Sequence, residues 1–127
     1  MFEEYHKAIV RRFFDAVLNE CDLGAVGDLF GPHPLLAAAT RATAAAYQRE
    51  VPDIRFALDA LIAEDDRVAA CWTARGTPTA AWRGAALPTT RVVITGVYVF
   101  RLVDGAVVGL RPHTTWPTSL TLDASPN

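Results

Sequence analysis

Lysine is almost missing from this chain of 127 residues: Lys7 stands alone among 12 basic residues, the rest being arginines. These cations are scattered, and the net charge is −2, which leaves no electrostatic footprint for nucleic acid or an anionic membrane. Cysteine is scarce too. Cys21 and Cys71 sit far apart, one near a helix end and one in a strand pattern, and nothing in their spacing favours a disulfide, so buried free thiols are expected. Uninterrupted apolar runs of membrane-spanning length are absent. The N-terminal MFEEYHKAIVRR is charged and amphipathic, unlike a secretory leader, and a cytoplasmic location is expected. Also lacking are a glycine-rich phosphate loop, a Gly-x-Ser-x-Gly elbow and a Cys/His pairing. His6, His33 and His113 make no metal-ligand spacing and have no paired acidic ligands, so no metal and no cofactor are expected.

What is present suits one globular domain, with 51% apolar and 20% charged residues, enough to bury a single core. The organising stretch is Arg91 to Trp116, RVVITGVYVFRLVDGAVVGLRPHTTW. Val92, Ile94, Gly96, Tyr98, Phe100 and Leu102 alternate with a second, largely apolar set, which predicts a long strand covered on both faces. Asp104-Gly105 supplies a tight hairpin, and Ala106 to Leu110 is the expected returning strand. Arg111-Pro112-His113 is poor strand material, and it brings together a cation and a titratable imidazole.

Upstream, the three- and four-residue spacing of His6, Val10, Phe13, Phe14 and Val17 predicts an amphipathic helix over Glu3–Glu20. A new cap at Asp22 starts a short helix carrying Leu23, Val26, Leu29 and Phe30, which Pro32 and Pro34 stop. A third helix is expected from Leu35 to Arg49, ended by Pro52. Strands follow over Ile54–Ala63 and Arg67–Thr77, around the acidic turn Glu64-Asp65-Asp66. Thr79–Thr90 reads as a loop or broken edge strand anchored by Trp82, and the tail 117–127 as loosely held. Helices followed by antiparallel strands give an α+β fold, three N-terminal helices packed on a curved, mainly antiparallel sheet.

Three stretches, RRFFDAVLNECDLGAVGDLF, PDIRFALDALIAEDDRVAACWTARGT and PTTRVVITGVYVFRLVDGAVVGL, together resemble the SnoaL-like polyketide cyclases. These belong to the cone-shaped superfamily shared by nuclear transport factor and ketosteroid isomerase. The resemblance implies a single SnoaL-like domain over 1–127, a cone-shaped apolar pocket, a hydrophobic small-molecule substrate and a homodimer through the outer sheet face. It also implies an aldol closure run by an Asp at the end of the last strand and a His after the Gly-Thr of the second. Here Gly76-Thr77 is followed by Pro78, and the Asp position holds Pro112. Proline moves no proton. The expectation is therefore a non-aldol cyclase, or a binding or accessory relative without catalysis, or, third, an isomerase or hydratase with Asp59 or Asp104 as base.

The candidate catalytic residues are Tyr98 and His113. Tyr98 matches the position where ketosteroid isomerases, which the chain resembles, place an oxyanion-stabilising acid, and a phenol there can donate to a carbonyl whose charge grows. His113 adjoins the family's acid/base position but faces away under simple alternation, so a bulge at Pro112 would be needed to aim it inward. Phe14, where the same resemblance expects a tyrosine, is candidate pocket wall. Trp72 shares a face with Ala70, Ala74 and Pro78 and could stack a flat ligand. Arg111 could pin a carboxylate or enolate, His33 is a candidate at the pocket mouth, and Trp82 is a further candidate substrate contact. His6, Tyr47 and Asp59 are outsiders. A pocket lined by Trp72, Tyr98 and His113 would favour an enzyme; one filled by Trp82, Phe56 and Phe100 would favour an accessory role.

Overall fold

The structure, a computed structural model, describes residues 2–31, 33–79, 91–114 and 121–122. The first helix changes pitch partway along. α1 spans Glu3–Arg12 and continues without a break into a π-helical segment, Phe13–Asn19, in which the Glu20 N–H reaches back five residues to the Asp15 carbonyl at 3.1 Å. The single helix expected over Glu3–Glu20 is thus one element with two pitches. The wider turn carries Phe13, Phe14, Val17 and Leu18, all buried. Its end is clamped to the sheet: Asn19 donates from Nδ2 to the Phe56 carbonyl at 3.0 Å and accepts the Phe56 N–H at 2.7 Å.

The short helix α2, Gly24–Phe30, has Leu23 rather than the expected Asp22 at its N-cap; Asp22, one residue earlier, accepts the Gly24 N–H at 3.1 Å. α3, Pro34–Glu50, starts with a proline, whose missing N–H costs nothing in a first turn. Its buried residues are Ala37, Thr40 and Ala44, small side chains that let it lie close to the helices and strands below.

β1 (Arg55–Glu64), β2 (Arg67–Gly76), β3 (Val92–Val103) and β4 (Ala106–Thr114) form an antiparallel sheet in that order. The β3–β4 turn has positive φ at both Asp104, 51°, and Gly105, 80°, the hairpin geometry that Asp-Gly tolerates. Two bulges bend the sheet. The register skips Asp59 in β1, between Leu58 and Ala60, and Val108 in β4, opposite the step from Arg101 to Leu102; each extra residue increases local twist.

Two expectations change here. β3 is buried on one face only: Val93, Val97 and Val99 on the other are half-buried in the single chain, and Thr95 and Arg101 are exposed. β4 does not stop at Leu110 but continues through Arg111, Pro112 and His113. Among the described residues β4 pairs with β3 alone, and an edge strand can hold a proline because one row of its backbone donors is not needed for pairing. The loop expected over Thr79–Thr90 lies, after Thr79, outside the described residues. Of the tail expected to be loosely held, Thr121–Leu122 form β5 against Val92–Val93.

The core is an aromatic cluster between the helices and the inner sheet face. Phe13 meets Phe100 edge-on at 5.2 Å between centroids, Phe56 lies 5.2 Å from Trp72, and Trp72 lies 5.3 Å from Tyr98. Such contacts add to the stabilisation from burial alone.

Candidate functional site

A cleft of about 200 Å³ opens between α3 and the inner face of β3 and β4. One wall comes from α3, as Leu36, Ala39, Thr40 and Thr43, a helical face by spacing; the other comes from Tyr98, Leu110 and Pro112, with Phe13 and Leu18 beneath. The lining is mostly apolar, and its polar atoms are hydroxyls. The Thr40 Oγ1 donates to the Leu36 carbonyl at 2.9 Å. Tyr98 is 5% exposed, and its hydroxyl is hydrogen-bonded to that of Tyr47. Burial, reinforced by the Tyr47 hydroxyl, pushes the Tyr98 ionisation well above the ordinary phenol value. Tyr98 therefore stays protonated near neutral pH and keeps its character as a donor.

Of the expected site residues, the structure brings Tyr98 to the cleft with Pro112, which stands directly opposite it across the β3–β4 ladder. His113 does not join them. The ladder is regular through Pro112, with no bulge there to re-aim the imidazole, and His113 pairs with Val97 and is exposed on the outer face, since directly opposed residues share a face. Arg111 pairs with Val99 on that same outer face, so it cannot pin a substrate held beside Tyr98.

Phe14 and Trp72 are each 1% exposed and sit in the aromatic core behind the cleft lining. Trp72 touches Tyr98, and its indole N–H is buried with no partner among the described residues. His33 is half-buried at the start of α3 and does not line the cleft. Trp82 lies outside the described residues. Phe56 and Phe100 fill much of the cone, so the interior combines a packed core with a modest cleft rather than matching either extreme.

The carboxylates considered as bases are elsewhere. Asp59 sits on the β1 bulge and accepts a hydrogen bond from Thr73 Oγ1 at 2.6 Å; Asp104 belongs to the hairpin turn and a separate depression beside Phe2, Tyr5 and His6. Among the described residues no group of three His, Cys, Asp or Glu side chains could hold a metal. Cys21 and Cys71 are free and half-buried, less buried than expected. No helix is long and apolar enough to cross a membrane.

Sequence reasoning missed the α3 wall and the part played by Tyr47. Leu36, Thr40, Thr43 and Tyr47 fall at spacings of four, three and four, one stripe of a helix, and that stripe was the available signal.

A three-helix layer on a bent antiparallel sheet, with an apolar cleft at the inner face, defines an α+β fold. The profile of the SnoaL-like polyketide cyclases matches residues 8–114, and the chain belongs to that family. No curated protein matches the sequence. Among solved structures it is similar to AclR of Streptomyces galilaeus, a proposed hydroxylase, at 22% identity and a TM-score of 0.75 over 88% of this chain and 79% of that one. It is also similar to a SnoaL-like polyketide cyclase of Agrobacterium tumefaciens, at 17% identity and 0.72 over 94% and 91%. A third is IdmH of Streptomyces antibioticus, a proposed polyketide cyclase, at 16% identity and 0.74 over 86% and 91%. At these identities the likeness defines the fold alone.

Proposed function

We propose that this protein is a natural-product cyclase of non-aldol type, acting in the cytoplasm on a hydrophobic polyketide-type intermediate. The observation that carries the reading is a phenol held protonated, Tyr98, in the wall of an apolar cleft. The two positions where family cyclases keep their proton-transfer pair are Pro78 and Pro112 here, so ring closure without a protein base fits better: a cycloaddition, or internal conjugate or epoxide attack. The cleft holds the chain bent so that the reacting carbons meet, and such restriction alone contributes several kcal/mol to lowering a barrier. When substrate binds, the Tyr98 O–H leaves the Tyr47 hydroxyl and donates to a substrate carbonyl oxygen, a bond that strengthens as negative charge builds there. The half-buried outer residues Cys71, Thr73, Val93 and Val97, toward the end of β2 and β3 away from Arg67 and Arg101, support pairing of two chains face to face.

The test is incubation of the purified protein with linear polyketide-type intermediates and detection of ring-closed isomers by chromatography and mass spectrometry. Closure faster than in buffer, with kcat reduced about 100-fold in Tyr98→Phe and KM little changed, is the expected result. No acceleration by the parent protein, or equal kcat in the variant, overturns the proposal.

One observation favours a second reading, a non-catalytic ligand-binding or accessory protein. The cleft, at about 200 Å³, is smaller than the roughly 300–1,000 Å³ usual for ligand pockets. Tight binding of apolar ligands without turnover would select this alternative. The isomerase or hydratase reading draws no support from Asp59 or Asp104, neither of which lines the cleft.

A further inference from the structure

The sheet face turned away from the cleft carries an arrangement that folding alone does not favour. Arg67 of β2 and Arg101 of β3 are directly opposed in register, and Arg111 of β4, opposite Val99, is one diagonal step from Arg101. Like charges facing each other across a ladder are destabilising. Compensation is partial. Asp66, in the β1–β2 turn, lies 2.9 Å from the Nε of Arg101 and 3.9 Å from the Nε of Arg67, so a single carboxylate serves two guanidiniums, and through one nitrogen of each. Arg111 has no carboxylate within ion-pair distance among the described residues.

The three arginines line one cleft of about 320 Å³ together with Val99, Gly109 and Leu110, and no carboxylate lines it. Gly109 stands opposite Arg101, and a Cβ there would lie 3.4 Å from the Arg101 Cβ; a larger side chain would occupy the space between the arginine stems. Cations from three adjacent strands around an open depression, with Asp66 as the one carboxylate paired to them among the described residues, leave donors free to receive an anion. A single carboxylate is satisfied by one guanidinium fork, whereas a tetrahedral phosphate presents oxygens in several directions at once.

We propose that this outer-face cleft binds the phosphate group of a small phosphorylated molecule, gripped by Arg67, Arg101 and Arg111. Its volume leaves room beyond the phosphate, with Val99 and Leu110 as apolar contacts for an ester substituent. The site lies across the sheet from Tyr98 and does not depend on the cyclase reading.

The experiment is isothermal titration of the full chain, at constant ionic strength set with sodium chloride, using inorganic phosphate, phenyl phosphate and succinate. Saturable binding of one phosphate per chain is expected, with phenyl phosphate at least as tight and succinate at least tenfold weaker. Arg111→Met should weaken phosphate binding at least tenfold, and Gly109→Val should do so by filling the cleft. Asp66→Asn should strengthen it by freeing two guanidiniums, and Tyr98→Phe should leave it unchanged. Circular dichroism confirms that each variant is folded. Non-saturating heats, succinate binding equal to phosphate, or equal affinity in folded Arg111→Met and Gly109→Val overturns the assignment. Binding of inorganic phosphate but not of phenyl phosphate overturns the ester part and identifies free phosphate as the ligand.

Discussion

Tyr98 of β3 and Pro112 of β4 stand directly opposite each other across the ladder, and both line the apolar cleft. The position at which the family resemblance implies an acid/base group thus faces the cleft, but it carries a side chain with no proton to transfer. Replacing Pro112→Asp puts a carboxylate opposite a phenol that stays protonated. The variant is expected to exchange the α-protons of a β-ketoester probe for deuterium at least tenfold faster than the parent, because a placed general base contributes strongly to such steps. Proton NMR in D₂O follows the exchange, and an unchanged rate would show that the carboxylate cannot reach the bound probe.

Tyr98 also couples stability to alkaline pH. Its ionisation is raised by burial and by Tyr47, so above about pH 10 the unfolded chain loses this proton while the folded chain keeps it. The unfolded state then binds fewer protons. Stability from this group is whole below pH 10 and falls as pH rises, by about 1.4 kcal/mol per unit until the folded-state ionisation is reached. Urea unfolding at pH 9, 10 and 11 should show a shallower alkaline loss in Tyr98→Phe than in the parent.

Ala39 is exposed on α3 yet lines the cleft. Ala39→Trp should cap the opening without disturbing the core, shifting the unfolding midpoint by no more than a few degrees. Binding of an apolar fluorescent probe should weaken at least tenfold. Unchanged probe binding would place the ligand elsewhere.

The Asn19 clamp joins the π-helical segment to β1 through both its amide nitrogen and its amide oxygen. Asn19→Ala leaves a backbone N–H and a carbonyl of Phe56 without these partners, a loss of about 2 kcal/mol in chemical denaturation. Asn19→Asp, which keeps the acceptor, is expected to lose less.

A Cβ on Gly76 would collide with Val51 Cγ1 and lie 3.0 Å from Asp53 Oδ1 and 3.1 Å from the Ile54 Cα. The last of these is backbone and cannot swing aside. Gly76→Ala should therefore cost about 2–4 kcal/mol, measured by thermal unfolding, although the residue ends a strand where alanine is otherwise acceptable.

Much of the fold was legible because its signals are local. The spacing of Val10, Phe13, Phe14 and Val17 marks a helix whatever surrounds it, and Asp104-Gly105 favours positive φ by its own chemistry. The site was legible only in part. Tyr98 could be placed on the inner face by strand alternation, whereas Tyr47, thirteen residues beyond its helix start at Pro34, gains meaning only when α3 settles against β3.

Sequence alone determined the three helices, the order of strands, the hairpin and the apolar character of the inner face, since each follows from periodicity and turn chemistry within a short window. Tertiary structure decided which face each strand-end residue occupies. A bulge moves the register by one residue and so reverses every side chain beyond it. The bulge at Val108 comes before all three strand-end residues, so Pro112 turns inward beside Tyr98 while Arg111 and His113 turn outward; β4 pairs with β3 alone among the described residues, and on such a strand one row of backbone donors is not needed for pairing, so Pro112 remains in it.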